Sequence, residues 1–165
     1  MPKLLKNGAL CRDTWVYLDA GCSDDVDSSG DVDSSPSGNV LFPLSYWLEH
    51  RESLLNRPDS GLWLNSSDEL ELIAEDITAI PYIAIQFSTF ADGRGFSLAR
   101  LLRERYHYRG ELHAAGHVLS DQLYYLKRCG FDSFHTSKDI KSDTALKALS
   151  SFTVDYQTVG VPLNP

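Results

Sequence analysis

The feature that most constrains this chain is a strand-then-helix rhythm that repeats four times from residue 61 onward. Gly61-Leu62-Trp63-Leu64, Tyr82-Ile83-Ala84-Ile85-Gln86-Phe87, Gly110-Glu111-Leu112-His113-Ala114-Ala115-Gly116 and Phe131-Asp132-Ser133-Phe134-His135 are apolar-rich segments of strand length. Each precedes a stretch with helical spacing of apolar residues. Residues 69–77 place Leu70, Ile73, Ala74 and Ile77 on one face, after cap material in Asn65-Ser66-Ser67-Asp68. Residues 97–106 turn Leu98, Leu101 and Leu102 inward and Arg100, Arg103 and Arg105 outward. Residues 119–129 end at Gly130, the natural residue after a helix, and 139–152 form the last helix. Strands of this kind alternating with helices specify an α/β fold with a mainly parallel sheet and right-handed crossovers. The spacing admits an open sheet or one curved like half of a β/α barrel.

The N-terminal part reads differently. Leu4-Leu5-Lys6-Asn7-Gly8-Ala9-Leu10 carries Asn-Gly, the strongest two-residue hairpin signal, because both turn positions must tolerate positive φ. Thr14-Trp15-Val16-Tyr17-Leu18 is rich in β-formers and extends this N-terminal hairpin. Val40-Leu41-Phe42-Pro43-Leu44 leads into a helix with apolar positions 44, 47, 48, 54 and 55 and the stem of Arg51. A length of 165 residues suits one α/β domain over 1–165, and 42% hydrophobic with 23% charged residues excludes a wholly disordered chain.

The net charge of −8 is unevenly placed. Residues 13–50 hold eight acids (Asp13, Asp19, Asp24, Asp25, Asp27, Asp31, Asp33 and Glu49) and neither Lys nor Arg. Residues 19–38 are almost pure Asp, Ser and Gly, too polar to offset ordering entropy, and read as a mobile acidic loop within the domain. An EF-hand frame started at Asp25 puts Gly30 at its sixth position but Pro36 where the closing glutamate belongs, so calcium is not expected. By contrast, residues 94–128 carry seven cations against Glu104, Glu111 and Asp121. Such a polarised surface steers a charged protein or a small anion. The overall acidity argues against nucleic acid, whose phosphates need cationic partners.

Apolar runs are far shorter than the ~20 residues of a membrane helix, and the first residues lack the apolar core of a secretory signal. Cys11, Cys22 and Cys129 form no C-x-x-C pair, which disfavours a disulfide framework, a cysteine-rich zinc site and a cysteine-ligated cluster. A reducing, cytoplasmic setting follows.

In parallel α/β folds the loops after the strands emerge on one edge, where ligands bind. That edge collects Asp92, Gly93, Arg94, Gly95 and Ser97, then His117, His135 and Lys138, as the candidate rim for a small anion or substrate. Ser97 is placed to cap the following helix, whose free N–H groups join Arg94 in attracting an anion. The segment has neither the Gly-Lys-Ser/Thr ending of a phosphate loop nor the full dinucleotide fingerprint. His113 and His117 flank a strand end rather than share a helical face, so no metal site is expected there. Cys129 reads as a packing cysteine, and Tyr106, Tyr108 and Arg109 as a cationic-aromatic patch at a helix end. The alternatives from the residues alone are an anion-binding enzyme of unknown reaction and a structural domain that pairs with another chain.

The segment Asp92-Gly93-Arg94-Gly95-Phe96-Ser97-Leu98-Ala99-Arg100-Leu101-Leu102-Arg103-Glu104-Arg105-Tyr106, with Tyr108-Arg109-Gly110-Glu111-Leu112, Val118-Leu119-Ser120-Asp121-Gln122-Leu123 and Arg128-Cys129-Gly130-Phe131-Asp132, resembles a bacterial family. That family is the domain of unknown function 934, described as an oxidoreductase associated with sulfite reduction. The resemblance implies an accessory or oxidoreductase role in assimilatory sulfite reduction, hence in sulfate assimilation and cysteine supply, with assimilatory sulfite reductase as partner. It supplies no catalytic residues, and His117 stands where the family pattern carries an acid. The cofactor is left unknown, since no flavin, nicotinamide, haem or cluster motif is present.

Overall fold

The computed structural model describes residues 3–6, 9–18, 38–89 and 91–136. Strands β1 (Lys3–Lys6) and β2 (Ala9–Arg12) pair antiparallel, with Lys6 opposite Ala9. β1 also pairs antiparallel with β8 (Ser133–Thr136), the last described strand. From β8 the sheet continues through β7 (Glu111–Gly116), β6 (Tyr82–Phe87), β5 (Ser60–Asn65) and β4 (Val40–Pro43) to β3 (Val16–Tyr17), every pair parallel. The order is β2-β1-β8-β7-β6-β5-β4-β3, a mostly parallel eight-stranded α/β sheet with an N-terminal antiparallel hairpin.

This order forces the sheet to curl. β2 and β3 are its two edges, yet only residues 13–15 join them. Seven strand spacings across a flat sheet would separate the edges by roughly 34 Å. The short connection spans at most about 14 Å. A flat sheet is therefore excluded, and the half-barrel alternative is the observed one. Thr14-Trp15-Val16-Tyr17-Leu18 consequently does not extend the hairpin. It leaves β2, crosses the open side of the curl, and joins the far edge beside β4.

The convex face carries the main core. Val40, Phe42, Leu62, Leu64, Ile83, Ile85, Leu112, Ala114 and Phe134 pack there against buried residues of the helical layer, among them Trp47, Leu54, Leu98, Leu102 and Leu126. Alternation sends the intervening residues inward, where Leu41, Trp63, Tyr82 and Ala84 form a second cluster with Trp15. Helices α1 (Leu44–Glu49) and α2 (Arg51–Leu55) bury Trp47 and Leu54 but leave Leu48 and Leu55 partly exposed.

Three helical expectations are corrected by tertiary contacts. Residues 69–77 form not one α-helix but two 3₁₀ turns, Leu70–Ile73 and Ile77–Ala79. Between them the buried Asp76 carboxylate accepts hydrogen bonds from Trp47 Nε1 at 3.3 Å and from Arg51 at 2.7 and 2.8 Å, which anchors the segment to α1 and α2. Helix α3 (Arg94–Glu104) starts three residues before Ser97, with Gly93 at its N-cap and no side-chain cap. Its early start seats Gly95 on Phe87, where a Cβ would come within 2.5 Å of the ring. Arg103 points inward, with 10% of its side chain exposed, while Leu101 is exposed. Tyr108 is buried, so the expected aromatic patch at this helix end is part core.

A 3₁₀ turn, Ser120–Gln122, precedes α4 (Leu123–Cys129), and Gly130 closes it in the left-handed region at φ 104°. Cys129 is half-buried against the core, and burial raises its thiol pKa. The acidic residues 19–37, Lys138 and the expected helix 139–152 lie outside the described residues. Among the described residues no helix is long and apolar enough to cross a membrane.

Candidate functional site on the inward sheet face

Register aligns the inward-facing polar residues of neighbouring strands. Ala84 of β6 stands beside His113 of β7, His113 beside Ser133 of β8, and His135 of β8 beside Leu4 of β1. Glu111 and His113 share the inward face with Ser133 and His135, since strand side chains alternate. Residues 13–15 lie across this face. Trp15 stacks on Tyr82 with ring centroids 4.3 Å apart, and Trp63 Nε1 donates to the Leu18 carbonyl at 3.0 Å. The same crossing brings Asp13 to the two histidines: one ligand atom each of Asp13, His113 and His135 lies within 4.8 Å of the other two.

A hydrogen-bonded relay stands behind His113. Lys6 Nζ donates to Glu111 Oε2 at 2.6 Å. The Ser133 hydroxyl in turn donates to Glu111 Oε1 at 3.0 Å. With its one proton committed, Ser133 Oγ accepts from His113 Nδ1, also at 3.0 Å. His113 is then the Nδ1–H tautomer, and its Nε2 carries a lone pair. Among the described residues that buried nitrogen has no hydrogen-bond partner. Burial, and after it the charge of His135, pushes the His113 pKa down to about 3, so the ring is neutral at physiological pH. The Tyr82 hydroxyl is also buried without a well-formed hydrogen bond among the described residues. Burial raises the Tyr82 pKa.

The expected rim divides into separate parts. At the strand ends, Asp92 Oδ1 accepts from Arg94 N and Nε, both at 3.1 Å, and Asp92 Oδ2 accepts from Ser66 Oγ. The Arg94 guanidinium first, then Ser66, lowers the Asp92 pKa to about 2. A carboxylate of the chain itself thus sits at the N-terminus of α3, with Gly93 at the cap and Gly95 buried on Phe87. Ser97 is exposed on the first turn of α3. His117 is exposed just beyond β7, where its N–H donates to Phe87 O at 3.0 Å. His135 belongs instead to the inward cluster. Among the described residues no hydrogen bond or ion pair links His117 or His135 to the Asp92–Arg94 pair.

The inward cluster itself was missed in the sequence. Its signal was there: Glu111-x-His113 and Ser133-x-His135 put polar residues at period two inside otherwise apolar strands. Asp13 gave no signal, because nothing local says that the chain crosses the curl.

Fold and site together define an α/β protein built on a curled, mainly parallel sheet with a polar, histidine-bearing inward face. A family model described as "Bacterial protein of unknown function (DUF934)" matches residues 61–164, and the chain belongs to that family. The matched span includes Tyr82, Glu111, His113, Ser133 and His135 but not Asp13 or Trp15. No curated protein and no solved structure matches the chain.

Proposed function

We propose that this protein serves assimilatory sulfite reduction in the cytoplasm, as an accessory of the sulfite-reducing machinery or an oxidoreductase within it. One observation carries the reading: the family match spans the block, from Asp92 to Asp132, that resembles the family associated with sulfite reduction. That block also builds β7, which holds His113, and ends one residue before β8, which holds His135. The cation-rich 94–128 segment supports docking to an acidic surface on a protein partner. At the strand-end rim, the exposed Arg94 offers a small anion a partner once Asp92 yields it.

Deletion of the gene, followed by growth on single sulfur sources, tests the assignment. The deletion strain should fail on sulfate and sulfite and grow on sulfide or cysteine. Growth on sulfite at the parental rate would remove the reading.

A further inference from the structure

We propose that Asp13, His113 and His135 bind a divalent first-row transition metal ion of the zinc type on the inward face of the curled sheet. Two imidazoles and a carboxylate are the donor set that such borderline ions favour.

The argument starts from an imbalance of donors and acceptors. His113 spends its only N–H on Ser133, so the nitrogen left to face a ligand is a bare lone pair, fully buried. The Asp13 carboxylate is also an acceptor; its Oδ1 takes the Trp15 N–H at 3.0 Å, which orients it. Acceptors brought within 4.8 Å of one another call for a cation between them. Ligands of one tetrahedral ion with ~2.0–2.1 Å bonds stand about 3.3 Å apart, so closure needs side-chain movement of about 1–1.5 Å. Asp13 lies on the crossing segment, outside any strand, where such movement is least restrained.

The surroundings match what a metal-binding histidine needs. Such a ring usually donates its second N–H to a group that fixes its tautomer and raises its basicity. Here Ser133, Glu111 and Lys6 form that outer chain. Three protein ligands leave at least one coordination position for water or a substrate atom, the arrangement of a reactive rather than a purely structural site. The site does not depend on the sulfite reading, and the growth test and the metal test fail independently.

The test uses the full chain, stripped with a chelator and titrated with Co²⁺, whose visible absorption reports low-symmetry nitrogen and oxygen ligation. A single saturable site should appear and be displaced by Zn²⁺. Asp13→Asn and His135→Ala should each weaken Co²⁺ at least tenfold, and Ser133→Ala roughly 10–100-fold, as outer-chain changes do. His117→Ala and His50→Ala should leave affinity unchanged. His113→Ala opens a buried site and can fail to fold, so the two less buried ligands carry the test, with thermal melts confirming that each variant folds. Absence of the bands would overturn the proposal. So would parental affinity in both Asp13→Asn and His135→Ala, which would place the ion on the acidic loop, or thiolate-to-metal bands, which would place it on a cysteine.

Discussion

Trp15 lies flat against Tyr82, with ring planes 24° apart and centroids 4.3 Å apart, although Trp15 sits on the segment before the edge strand β3 and Tyr82 on β6, with β4 and β5 between them in the sheet. The stacking pins the three-residue crossing to β6 and thereby holds Asp13 over β7 and β8. Trp15→Ala should destabilise the protein by about 2–3 kcal/mol, while Trp15→Phe should cost about 1 kcal/mol or less because an aromatic face remains. Urea denaturation measures both. Equal losses in the two variants would show that the ring stacking contributes nothing.

Two glycines make a contrasting pair. Gly130 sits at φ 104°, and a Cβ there would come within 2.6 Å of Arg103 Cγ. Gly93 has open space around its Cβ position and an ordinary φ of −72°. Gly130→Ala should therefore cost about 1–2 kcal/mol, whereas Gly93→Ala should be neutral or stabilising by up to about 1 kcal/mol. Thermal melts of the two variants side by side give the comparison.

Arg103 works as a fastener rather than a surface charge. Its guanidinium donates to the carbonyls of Tyr108, Gly110 and Gly130 at 2.8–3.0 Å and to Asp132 Oδ2 at 2.6 Å. It thus joins the end of α3 to the start of β7 and to the turn before β8. A lysine cannot reproduce this fork, so Arg103→Lys should destabilise by about 1–3 kcal/mol despite keeping the charge. Parental stability in that variant would reduce the network to an incidental contact.

Asp92 sets a pH dependence whose sign is fixed. Its folded pKa, about 2, lies below its ordinary value, so the unfolded chain binds its proton first as pH falls. Its contribution to stability is complete above the ordinary carboxylate range and is lost as pH drops toward about 2. Carbon-detected NMR titration should place Asp92 near 2 in the parent and move it toward the ordinary range in Arg94→Ala. No movement would mean that Arg94 does not hold this carboxylate.

Much of the architecture was legible because it is written in local periodicity. Tyr82–Phe87 was readable as a strand to the residue, and Gly130 as the end of a helix, since both signals are short-range. The departures arise where distant groups decide. Asp76 divides 69–77 into 3₁₀ turns through Trp47 and Arg51, which no helical pattern reveals. Arg103 looks outward by periodicity, yet three backbone carbonyls draw it in. The candidate rim was legible as loops at strand ends, but Asp92 paired with Arg94 rather than leaving it free, and His135 sits with Asp13 and His113. That last grouping depends on how the two sheet edges approach, a property of the whole curl.

The crossing of residues 13–15 is most directly tested by proton NMR of selectively labelled aromatic rings. Strong cross-peaks between Trp15 and Tyr82, together with cross-peaks between Asp13 and the imidazole protons of His113 or His135, are the predicted result. Cross-peaks from Trp15 only to β1 and β2, as in a prolonged hairpin, would contradict the curled sheet and disperse the site with it.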